Sequence, residues 1–184
     1  MPHFFIKILK TCLWTIVPFF LISQGNPNQI SMVEVPPEGY YTFTVTGEVS
    51  ENLNGIIHFE TTKETSVGGS EYYVLRFMLK SKKESPIHSM EFLISKPCIK
   101  DKISVGTYEV AKPVNGFLNY FEGVFGAADF KRMDELPFFT DRGTIRIRSL
   151  DENTIEGSMS VTLHDPNGKK ITIQGEFDAL RQER

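Results

Sequence analysis

Residues 154–178 read TIEGSMSVTLHDPNGKKITIQGEFD. Ile155, Gly157, Met159, Val161 and Leu163 alternate with Glu156, Ser158, Ser160, Thr162 and His164. After Asp165-Pro166-Asn167-Gly168, the pattern returns: Ile171, Ile173, Gly175 and Phe177 alternate with Thr172, Gln174, Glu176 and Asp178. A period of two sends neighbouring side chains to opposite faces of a pleated strand, one apolar and one polar. A helix of 3.6 residues per turn would scatter both sets around its surface. Pro166 pre-sets a turn corner, and Gly168 is free to take positive φ. Two alternating runs joined by such a turn predict a β-hairpin.

The same alternation recurs upstream. Tyr41, Phe43, Val45, Gly47 and Val49 share one parity, as do Leu53, Gly55, Ile57 and Phe59. Tyr73, Leu75, Phe77 and Leu79 follow, then Met90, Phe92 and Ile94, and later Ile145 and Ile147. Tyr108 and Val110 come after a Gly106-Thr107 start, and a further strand is expected from about Gly123 to Phe130. Turn signals fall at Asn52 to Asn54, Val67 to Ser70, Lys82 to Pro86, Lys100 to Lys102 and Asp151 to Asn153. Nothing resembles the 10–15-residue amphipathic helices of a parallel sheet, so a βαβ architecture is not expected. Strands at short spacing with hairpin-length links predict an all-β, single-domain antiparallel β-sandwich, with an eight-stranded β-barrel as the alternative. The short run from Gly106 to Ala111 favours the sandwich, since a closed barrel wants more even strands.

The N-terminus has a different character. Lys7 and Lys10 precede an apolar run from Cys12 to Ile22, and Ser23-Gln24-Gly25 follows. A basic, apolar, small-residue order is that of a secretory signal peptide. The run is too short for a membrane-spanning helix, which needs roughly 20 residues. The expected organisation is a signal peptide over 1–25, an extended lead-in over 26–39 with Pro27, Pro36 and Pro37, and a β domain over 40–184. Cleavage after Gly25 moves the formal charge from −3 to −5, because that prefix carries Lys7, Lys10 and no acid. An acidic chain lacks the basic stripe that nucleic acid or an anionic membrane surface would attract. The expected location is periplasmic or extracellular.

Catalytic and metal signatures are weak. Cys98 is the one cysteine after residue 25 and reads as a small buried residue; His58, His88 and His164 are isolated and read as partly exposed. Zinc wants three or four ligands, usually with close pairs along the chain, so no metal or cofactor is nominated. No Gly-x-Ser-x-Gly elbow or phosphate-cradling glycine loop occurs. The lipocalins, exported eight-stranded barrels, share the size and the alternation, but their early Gly-x-Trp signature is missing: Trp14 is the only tryptophan.

One segment stands apart. Of the 15 phenylalanines, six lie between Asn115 and Arg142. Phe117, Tyr120, Phe121, Phe125, Phe130, Phe138 and Phe139 are the candidate ligand-binding residues, because ligand sites are mostly apolar with a few polar groups. The competing reading is that these rings plug the core. The sequence therefore favours a soluble, non-catalytic binding module for a small apolar ligand or an envelope protein. The alternatives are a hydrolase of envelope or extracellular polymers, whose acid pair the sequence does not single out, and an accessory subunit that pairs through an edge strand.

Overall fold

The computed structural model describes residues 38–82, 88–111, 121–130 and 136–182. The signal peptide and most of the proposed lead-in therefore lie outside the described residues. Those that are described contain strands and no helix: β1 (Tyr40–Gly47), β2 (Glu51–Thr65), β3 (Glu71–Ser81), β4 (His88–Pro97), β5 (Gly106–Glu109), β6 (Gly123–Phe130), β7 (Phe138–Leu150), β8 (Thr154–His164) and β9 (Lys170–Arg181). The hairpin read from residues 154–178 is present, with Thr162 opposite Thr172 and Gly157 opposite Phe177. Its turn closes through the Gly168 amide donating to the Asp165 carbonyl at 3.0 Å.

The sandwich expectation is corrected to a closed barrel. Around the ring the order is β1, β2, β3, β4, β6, β7, β8, β9 and back to β1, all antiparallel. The short run at Gly106 argued against closure only if it were a stave, and it is not one. β5 is an extra strand that pairs with β7 from Gly106–Ile147 to Glu109–Thr144. β6 holds β7 only through Ala127–Phe139 and Ala128–Phe138 before β5 takes over that edge. The true staves run from eight residues in β1 and β6 to 15 in β2. β7 carries bulges at Asp141 and Arg148, which bend it around the wall. Below the start of β1, β2 and β9 meet directly and pair in parallel at His58–Leu180 and Phe59–Arg181.

An eight-stranded barrel has an interior just wide enough for side chains to fill, and here they fill it. Tyr41, Phe43, Ile57, Phe59, Phe77, Phe92, Ile94, Ile145 and Ile147 are all buried within one cluster. Glycines make room for the largest rings: a Cβ on Gly126 would meet the Phe92 ring, and one on Gly157 would lie 2.5 Å from Phe177 Cζ. Outward positions carry Thr42, Glu60, Arg76, Glu91, Arg146 and Glu176. A spanning barrel is apolar outside and polar inside; the order is reversed here. Among the described residues, no helix is long and apolar enough to cross a membrane.

Three local expectations are also corrected. Asn52 to Asn54 is strand rather than turn, because Asn52 and Asn54 face outward and pair with Thr44 and Thr42. His88 is 2 % exposed, since its parity matches inward-facing Met90 and Phe92. Cys98 is partly exposed, in the turn after β4, where its amide donates to the Glu71 carbonyl at 2.9 Å.

Candidate functional site

Strand parity divides the aromatic segment. On β6 the even positions, Val124, Gly126, Ala128 and Phe130, face inward, and the odd positions face out. Phe130 and Phe138 consequently sit in the core, edge to face with centroids 6.2 Å apart. Phe125 is half-buried on the outer wall, and Phe121 and Phe139 are exposed. Phe117 and Tyr120 lie outside the described residues.

The outer rings that come together are Phe121 and Phe125, with centroids 5.4 Å apart, and Tyr72 on β3, edge-on to Phe121 at 6.3 Å. They stand on a continuous wall. Cross-strand register aligns Arg76, Leu93 and Phe125 in one row and Val74, Ser95 and Gly123 in the next. Ser95, buried on the outer face, donates its hydroxyl to the Phe121 carbonyl at 2.5 Å. Lys100 Nζ reaches Glu122 Oε1 at 2.6 Å. Both bonds pin the start of β6 beside the end of β4. Tyr72, Val74, Arg76, Leu93, Ser95 and Phe121 border a groove of about 280 Å³. Arg76 closes its polar side, held by Glu60 and Glu91 at 3.2 Å each. The groove offers one flat aromatic wall, an aliphatic floor and a polar rim, the composition of a small-ligand site.

Sequence reasoning found Phe121 and Phe125 but missed Tyr72, Val74 and Leu93. The signal was available: all three are apolar at positions whose parity marks them as outward. An apolar residue on the solvent parity of a strand needs a cover, and here the start of β6 provides part of one.

A second concavity, about 420 Å³, lies on the outer face of β1, β9, β8 and β7 and is bordered by Tyr40, Arg148, Glu156, Glu176 and Asp178. Register sets Asp178 directly between Tyr40 and Glu156. Burial, reinforced by the Glu156 and Asp151 charges, pushes the Asp178 carboxyl above its ordinary value. Arg148 is the extra residue of the β7 bulge and bonds Glu176 at 2.6 Å, holding that carboxyl below its ordinary value. The sequence did not single out an acid pair; the register brings Glu156 and Asp178 opposite one another.

Among the described residues, no three His, Cys, Asp or Glu side chains are grouped so as to hold a metal ion. No family model, curated protein or solved structure matches this chain.

Proposed function

We propose that this chain is an exported, non-catalytic binding module that holds a small apolar ligand against the outer wall at Tyr72, Leu93, Phe121 and Phe125. One observation carries the reading. Phe121 remains exposed while its ring contacts Phe125 and Tyr72 beside a groove of about 280 Å³. The packed interior supports an external site, because the barrel's own side chains occupy the space a central ligand would need. Export rests on the order of residues 1–25, and the periplasm or extracellular space is the location that order suggests.

Native mass spectrometry of protein purified from its own host, without refolding, tests this reading. The expected result is a co-purifying small molecule that is lost on Phe121→Ala while the fold is kept. A stoichiometric protein partner with no small molecule would support an accessory role instead.

One observation favours a second reading, a hydrolase of envelope or extracellular polymers. Glu156 and Asp178 are cross-strand neighbours in a concavity, and the Asp178 carboxyl is raised. Such neighbours place their Cβ atoms about 4.5–5.5 Å apart, so their side chains project side by side from the same face, and glycoside hydrolysis uses a pair of carboxyl groups. Polymer turnover abolished by both Glu156→Gln and Asp178→Asn would favour it over the binding module.

A further inference from the structure

We infer that the end of the barrel formed by the β2–β3 turn and the β4–β5 connection docks on a lipid bilayer through its apolar tips. Turn tips ordinarily carry small polar residues. Here Val67 and Ile99 are fully exposed, and Val105 and Phe121 are more than half exposed. These four side chains belong to one end of the barrel. The Cys98 amide bonds the Glu71 carbonyl, which sets Ile99 beside the base of the β2–β3 turn that carries Val67. The Lys100–Glu122 pair joins the same connection to Phe121. Val105 directly precedes β5, whose Gly106 pairs with Ile147 toward this end of β7.

The shape and charge of this end select the occupant. Val67, Ile99 and Val105 are single apolar side chains in turns or bends, separated from one another by polar residues, and Phe121 adds a ring at the edge of the groove. A protein interface gathers its anchors into a packed centre, whereas a fluid bilayer receives separate tips one by one, each transferring apolar surface out of water. Charges around the tips are balanced: Lys63 pairs with Glu71 at 2.7 Å and Lys100 with Glu122 at 2.6 Å. A balanced rim suits a zwitterionic headgroup layer and does not depend on anionic lipid, in keeping with the acidic chain as a whole. This goes beyond the ligand-binding reading: Val67 and Phe121 border the groove, but Ile99 and Val105 do not, so variants at those two leave the groove intact and test the bilayer separately.

The test is co-sedimentation of the processed protein, without residues 1–25, with phosphatidylcholine vesicles, with and without phosphatidylglycerol. The protein is expected to partition onto phosphatidylcholine alone, with little gain from the anionic lipid. The double variant Ile99→Ser/Val105→Ser should lower partitioning at least about tenfold, since two side chains lose their transfer out of water. Its thermal midpoint should hold, because neither residue is packed. A polarity-sensitive fluorophore on Cys98, the one cysteine after residue 25, reads the tip itself and should shift to the blue when vesicles are added. The inference is overturned if the double variant partitions as the parent does, if binding requires phosphatidylglycerol, or if the Cys98 probe keeps its aqueous spectrum.

Discussion

Inside the barrel, the Tyr41 hydroxyl lies 2.5 Å from His88 Nε2, with both residues buried. Of this pair, β1 supplies the phenol and β4 the imidazole, so the bond crosses the core rather than following the wall. Tyr41 also packs against Phe43 at 5.0 Å, and His88 faces Phe130 at 6.3 Å. Polar groups in an apolar interior persist only when bonded.

Tyr41→Phe should therefore cost about 1–3 kcal/mol of stability, the penalty for stranding a buried polar group, read from the urea midpoint at constant slope. The pH dependence has a definite sign. Burial raises the Tyr41 phenol above its ordinary value of 10.0, so the native state favours the protonated form. That contribution is complete below the ordinary value and is lost as pH rises above it, while the unfolded chain ionises. The alkaline fall should be shallower in Tyr41→Phe; an identical fall would remove Tyr41 as its source.

The ring of Phe92 occupies the space that a side chain at Gly126 would need. Gly126→Ala should destabilise by about 1–3 kcal/mol through overpacking. The penalty should shrink in a Phe92→Leu background, because the smaller side chain yields room. A double-mutant cycle measures this coupling; additive effects would mean that the two residues do not compete.

Asp178 and Glu156 oppose one another on the outer face, and like charges so placed repel. The raised Asp178 carboxyl means that the native state favours its protonated form. The native state thus loses stability as pH rises from the ordinary carboxylate value of 3.8 through the raised one. Asp178→Asn should raise the urea midpoint at neutral pH, and the gain should vanish in acid. A lower midpoint at neutral pH would show that the carboxylate makes a favourable contact instead.

Phe121 and Phe138 separate surface from core. Phe138 is 1 % exposed, and its truncation to Ala should cost about 3–5 kcal/mol. Phe121→Ala removes a half-exposed ring and should cost no more than about 1 kcal/mol. Thermal denaturation of the two variants gives the comparison, and equal losses would place Phe121 in the core.

How far the sequence could be read follows from the range of the interactions involved. Strands and their inward faces are local properties, so the alternation around Phe43, Ile57, Phe77 and Val161 located them. Closure is not local: it depends on β1 meeting β9, a pairing such as Tyr41–Phe177 between strands at opposite ends of the β domain. β5 misled because a strand outside the ring has the same alternation as a stave. In the aromatic segment, composition drew Phe121, Phe125, Phe130 and Phe138 together, yet parity on β6 sends Phe125 outward and Phe130 inward. The groove wall at Tyr72, Val74 and Leu93 needed the register of β3 against β4, which no single strand encodes.

Everything here depends on a ring that closes around a filled interior. The seam between β6 and β7 is its narrowest joint, held at Ala127–Phe139 and Ala128–Phe138. Solution NMR of the labelled protein tests that joint directly through cross-strand proton contacts. Closure requires contacts at Ala128–Phe138 together with Phe43–Gly175 on the far side, where β1 meets β9. Contacts at Phe43–Gly175 with none at Ala128–Phe138 would open the ring between β6 and β7 and contradict the barrel.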